Sequence, residues 1–87
     1  MYAIVYTKRA SKDVSNLKSA KLEKKAKAFI DLLRENPFQS PPPFEKLVGD
    51  LQGACSRRIN IQHRLVCQVQ ENEKTVKIIS MWTHYDI

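Results

Sequence analysis

Three arginines crowd the stretch CSRRINIQHRLVC that runs from Cys55 to Cys67: Arg57, Arg58 and Arg64. Ser56-Arg57-Arg58-Ile59 and Arg64-Leu65-Val66 read as two arms of a hairpin bent over Asn60 to His63, which brings the guanidiniums onto one small sheet. Such a cluster calls for an anion. Phosphate fits best, because the planar fork donates two parallel hydrogen bonds and stays charged at any working pH. In the THYDI segment, His84 and Tyr85 add what an electrostatic patch lacks, a group that titrates near neutrality beside a ring that can stack. Guanidinium, imidazole and phenol together point to chemistry on RNA. The second histidine, His63, falls in the bend and reads as a turn or packing residue.

Elements must position these groups. Met1–Tyr6 (MYAIVY) is a run of β-formers without polar alternation, which predicts a strand covered on both faces or set inside the sheet. Thr7 is placed to cap a helix of about Lys8–Lys18 whose apolar positions are Ala10, Val14 and Leu17. Ser19 is placed to cap a second helix, with Leu22, Ala26, Phe29, Ile30 and Leu33 on one face, and Asn36-Pro37 stops it. Ser40-Pro41-Pro42-Pro43-Phe44 predicts an extended, stiff connection ending at Glu45. Leu47, Val48 and Leu51 are expected to pin this segment to the core, with Gly49 and Gly53 marking tight turns. Cys55–Asn60, Arg64–Gln70 and Thr75–Trp82 then form a three-stranded antiparallel meander, turning at Glu71–Lys74. The expected class is α+β: an N-terminal strand, a two-helix hairpin and the meander, with the helices on one face. Within the middle strand, Leu65, Cys67 and Val69 alternate with Arg64, which puts Arg64 on the face away from the helices. Arg58 shares that parity; Arg57 does not, and its direction is left open.

The totals set bounds. An 87-residue chain supports one domain, residues 1–87, with a single core and no room for a cofactor domain. The net charge of +6 points to an acidic partner. From Lys8 to Lys27 there are eight basic residues against Asp13 and Glu23, an excess equal to the whole net charge, so the basic surface lies on the helices. That surface is either a solvated amphipathic face or a track for the backbone of a large RNA. No apolar run is long enough to span a membrane and no secretory signal is present, so the expected location is the cytoplasm, without membrane association. Cys55 and Cys67, the only cysteines, lack metal-site spacing and read as small apolar strand residues, not a disulfide; no metal and no cofactor are expected.

The run FEKLVGDLQGACSRRINIQHRLVCQV, followed by KIISMWTHYDI, resembles the Txe/YoeB branch of the RelE-like toxins of bacterial toxin-antitoxin modules. The likeness covers nearly the whole chain and rests on S-R-R-I, H-R-L-V and the terminal H-Y. The chain departs from the usual pattern in having Cys67 where many members have tyrosine, and F-E-K-L in place of P-E-P-L. The resemblance implies a RelE-like fold and a ribosome-dependent messenger-RNA endonuclease. Its partners would be the ribosome, mRNA and a cognate acidic antitoxin of the YefM/Axe kind, with room for a homodimer. By motif, Glu45, Arg64, His84 and Tyr85 are the implied catalytic set, and Arg57, Arg58 and Lys46 the implied RNA-binding residues.

The chemistry is coherent without a metal. RNA carries its own nucleophile in the ribose 2′-hydroxyl, which needs deprotonation and in-line alignment. Glu45 would accept that proton, His84 would protonate the departing 5′-oxygen, Arg64 would stabilise the phosphorane, and Tyr85 would stack. Two other readings compete: a ParE-like toxin that binds DNA gyrase without nuclease chemistry, and a plain ribosome- or RNA-binding module. Neither requires the Glu, Arg, His, Tyr set.

Overall fold

The computed structural model describes residues 1–40, 44–46, 53–60 and 63–84, with residues 83 and 84 described by backbone alone. Thr7 sets the first helix. Its side-chain oxygen accepts from the Ala10 amide at 3.1 Å, capping helix α1 (Lys8–Ser19), while its hydroxyl donates to the Ile79 carbonyl at 2.8 Å. One side chain therefore both starts the helix and ties it to the sheet. The face that α1 buries is Ala10, Asp13 and Leu17; Val14, expected in the core, is exposed.

Ser19 ends α1 and does not cap the second helix. The turn is made by backbone geometry: Lys21 adopts φ 60, its amide bonds the Lys18 carbonyl, and the Leu22 amide reaches back to the Leu17 carbonyl. That two-bond closure is a C-terminal cap in which glycine normally holds the left-handed position. Leu22 follows as the N-cap of α2 (Glu23–Glu35), without a side-chain capping bond. Helix α2 buries Ala26, Phe29, Ile30 and Leu33, as the 3.6-residue spacing predicts, and stops at Asn36 before Pro37.

The sheet has five strands in the order β1-β5-β4-β3-β2, two more than the meander alone. They are β1 (Ala3–Tyr6), β2 (Glu45–Lys46), β3 (Ala54–Arg58), β4 (His63–Gln70) and β5 (Thr75–His84). Strand β1 pairs parallel with β5; the other pairings are antiparallel. The expected α+β class holds, with both helices packed on one face through a core of Leu17, Phe29, Ile30 and Leu33 against Ile59, Leu65, Cys67, Val76 and Ile78. No helix among the described residues is long and apolar enough to cross a membrane.

Strand β1 corrects the expectation of full cover. It forms an edge of the sheet, and Val5 and Tyr6 are 44% and 46% exposed. Only Ile4 packs toward the core, because a crossover through two helices returns the chain on the far side of β5 and leaves β1 at the margin. Gly53 takes φ 81 at the turn into β3, as a glycine turn predicts. The expected roles of Pro41–Pro43, Leu47, Val48, Gly49 and Leu51 lie outside the described residues. The turn after β4 is a single 3-10 turn, Glu71–Glu73, closed by Lys74 at φ 49.

Cys55 and Cys67 are register partners and free thiols, both buried. Burial first, and the neighbouring Cys55 second, push the Cys67 thiol up to about 12, so it stays protonated and packs as an apolar group.

Candidate functional site

Cross-strand register builds the site as two rows. Arg58 pairs with Arg64, and Arg64 with Thr83, giving one row across β3, β4 and β5. Two positions along β3 and β4, and three along β5 where the register shifts between Arg64 and Val66, lies a second row: Glu45 with Ser56, Ser56 with Val66, and Val66 with Ser80. Residues two apart on a strand share a face, so the carboxylate-bearing Glu45 sits at the edge of the same face that carries Arg58 and Arg64. The helices pack on the opposite face, through Leu65 and Cys67. Arg58 and Glu45 are exposed and Arg64 is half-buried, while Ser56, Val66 and Ser80 floor the surface between them. A basic row with an acidic edge can hold a phosphate and offer a proton acceptor beside it.

The β3–β4 bend is closed at its base by the amides of Ile59 and Asn60, both donating to the His63 carbonyl, and by the His63 amide donating to Asn60 Oδ1 at 2.7 Å. Strand β4 thus begins at His63. The His63 ring is buried and stacks on Trp82, with centroids 3.7 Å apart and planes 16° from parallel. This agrees with a packing role. Strand β5 runs two residues past the expected end at Trp82, which sets the His84 backbone opposite His63, one register step beyond the Arg64–Thr83 pair. Arg64 and His84 therefore come from adjacent rows of neighbouring strands. Tyr85 lies outside the described residues.

Two expected RNA-binding residues stand elsewhere. Lys46 pairs with Cys55, one step off the Glu45 row, and is exposed at the sheet edge. Arg57 pairs with Leu65 on the helix side and is 1% exposed. Its Nη2 donates to the carbonyls of Pro37 at 3.0 Å and Gln39 at 2.9 Å, and its Cζ lies 4.7 Å from the Phe44 ring centroid. Burial lowers its pKa from the ordinary value, opposed by the Cys67 and Cys55 thiols. The open direction of Arg57 is resolved inward: it faces the protein's own carbonyls, because its parity belongs to the core.

One residue that sequence reasoning counted only as a countercharge is Asp13. It is buried, and its Oδ2 accepts from the Met81 amide at 3.0 Å, just past the irregularity where Val66 pairs with Ser80 and Cys67 with Ile78. Its spacing from Ala10 and Leu17 carried the signal, since an acid at an i+3 core position needs a buried donor.

The chain matches the model of the YoeB-like toxin of bacterial type II toxin-antitoxin systems over residues 6–85. It is 37% identical over 65 residues to Toxin YoeB of Synechocystis sp., a match spanning 75% of this chain and 73% of that one. The fold superposes on the YoeB/ParE toxin from Agrobacterium tumefaciens with a TM-score of 0.84 at 28% identity, covering 95% and 99% of the two chains. It also superposes on Staphylococcus aureus YoeB at 31% identity. In the heterotetrameric YoeB-YefM complex the TM-score is 0.79, with 98% of this chain and 99% of that one covered. In the YoeB dimer it is 0.80, with 97% and 98% covered. A five-stranded sheet under two helices, with paired arginines on the open face and an alignment spanning almost every element, places this chain in the YoeB-like toxins of bacterial type II toxin-antitoxin systems.

Proposed function

We propose that this toxin is a ribosome-dependent messenger-RNA endoribonuclease that needs no metal. Glu45 takes the proton from a ribose 2′-hydroxyl, and the resulting alkoxide attacks the adjacent phosphorus. Arg64, with Arg58 beside it, neutralises the charge on the phosphorane oxygens. His84 gives a proton to the departing 5′-oxygen, leaving a 2′,3′-cyclic phosphate and a 5′-hydroxyl. Tyr85 stacks on a base or the ribose, and Lys46 adds charge at the sheet edge.

The observation that carries this reading is the row geometry: Glu45 stands at the edge of the face that presents Arg58 and Arg64. An open surface with so few orienting groups favours a substrate that arrives already aligned, which translating ribosomes supply. The basic residues of α1 and the α2 N-terminus are the docking face for ribosomal RNA. A cognate acidic antitoxin resembling YefM silences the toxin by covering the arginine face, and homodimerisation is the alternative assembly, as in the Staphylococcus aureus relative.

The test is cleavage of mRNA on purified ribosomes, read by primer extension and by end-group chemistry. Wild-type toxin is expected to cut ribosome-bound message at discrete positions and to cut naked RNA far more slowly. Glu45→Gln, Arg64→Ala and His84→Gln are each expected to lose roughly 100-fold or more, on the order of an oxyanion-type donor or a general acid or base. Equal cutting of naked and ribosome-bound RNA would overturn ribosome dependence. Full activity in all three variants, or 3′-phosphate ends formed without a cyclic species, would overturn the mechanism.

A further inference from the structure

Arg57 grips both ends of the connection that delivers Glu45. One nitrogen of its guanidinium holds the Pro37 and Gln39 carbonyls, just after α2, and its plane lies near the Phe44 ring, the residue directly before Glu45. The adjacent Ser56 is the register partner of Glu45 itself. Strand β2 is only two residues long. A ladder that short cannot hold an edge residue in one place by its own hydrogen bonds, so the position of Glu45 depends on what anchors its neighbours.

We propose that Arg57 is a positioning residue: a buried guanidinium that sets the Phe44–Lys46 segment against β3 and so holds the Glu45 carboxylate at the edge of the arginine face. The role suits arginine and not lysine. A guanidinium nitrogen can donate to two carbonyls while the planar group still offers its face to a ring, whereas an ammonium can donate but has no face to offer. Phe44 supplies the ring. This inference rests on the reading of Glu45 as the base, but it can be tested apart from it.

The experiment combines Arg57→Lys, which keeps the charge, with Phe44→Leu, which keeps the guanidinium and its carbonyls and removes only the ring. Readouts are backbone amide spectra with hydrogen exchange, and kcat and KM on ribosome-bound message. In Arg57→Lys, the Glu45 and Lys46 amides are expected to shift and lose protection while amides of β4 and β5 stay as they were. The kcat should fall on the order of 100-fold with KM within about twofold, the effect of a displacement near 1 Å at the reacting centre. Phe44→Leu should give a smaller loss of the same kind. The double variant should be no worse than Arg57→Lys alone, since both act through one contact. An unmoved Glu45 amide in both variants would overturn the proposal whatever the activity. Unmoved Glu45 and Lys46 amides with a raised KM and intact kcat would overturn it by identifying Arg57 as an RNA contact. Displaced Glu45 and Lys46 amides with full kcat would uphold the positioning role and sink Glu45 as the base.

Discussion

Arg58 and Arg64 stand directly opposite each other on β3 and β4, two like charges at a single register position. Like charges placed directly opposite each other across two strands destabilise a sheet. Under the proposed function, a phosphate bound between them converts that repulsion into a shared attraction.

Anion binding should therefore stabilise the isolated toxin. A short RNA oligonucleotide at a hundredfold excess over its Kd is expected to add about 2.7 kcal/mol by mass action, read as a rise in Tm. The rise should shrink in Arg58→Ala and Arg64→Ala, and should weaken as salt is raised. Thermal melts at two ionic strengths check both points.

Asp13 joins α1 to β5 through the Met81 amide. Asp13→Ala leaves that buried donor without its acceptor and is expected to cost about 1–3 kcal/mol. Asp13→Asn keeps an acceptor oxygen and should cost less. Urea unfolding measures both, and hydrogen exchange at the Met81 amide should report the break locally.

Lys21 holds a left-handed conformation between the two helices with a side chain that glycine would not need. Lys21→Gly is expected to raise stability by about 0.5–1 kcal/mol, because the steric cost at positive φ outweighs the extra freedom glycine has when unfolded. Chemical denaturation decides it: a lower midpoint for the variant would mean that Lys21 makes compensating contacts.

Alkaline pH should unfold this protein partly through Cys67. Its folded thiol is raised to about 12 from an ordinary 9.0, so between those values the native state holds a proton that the unfolded state has lost. Stability from this group is complete below about pH 9 and falls with rising pH across that window, by up to about 1.4 kcal/mol per pH unit. Cys55, shifted the same way by burial, adds to the fall. Urea midpoints from about pH 8 to 11 should decline more steeply in wild type than in Cys67→Ala.

The helices were legible in the sequence because their signals are local. A 3.6-residue apolar period, a threonine before the first turn and an Asn-Pro stop act over a few residues, and Ala26, Phe29, Ile30 and Leu33 are buried as that period requires. The alternation around Leu65 and Cys67 likewise put Arg64 on the face away from the helices, since pleating is also local. The types that make the candidate site, a guanidinium cluster with a nearby carboxylate and imidazole, stand in the sequence for the same reason. Their chemistry belongs to the side chains themselves.

Tertiary structure decided what depends on partners far along the chain. Parallel pairing with β5 made β1 an exposed edge, although its apolar run reads as a buried strand, because cover is a property of neighbours and not of composition. Arg57 and Arg58 are adjacent and chemically identical, yet one is sealed against Pro37, Gln39 and Phe44 and the other is open to solvent. Strand parity separates them, but only the packing of a distant segment determines that the inward guanidinium finds carbonyls enough to stay charged inside the fold. Register did the rest: it set Glu45 opposite Ser56 and His84 opposite His63, pairings fixed by ladder hydrogen bonds between residues that no local sequence signal connects.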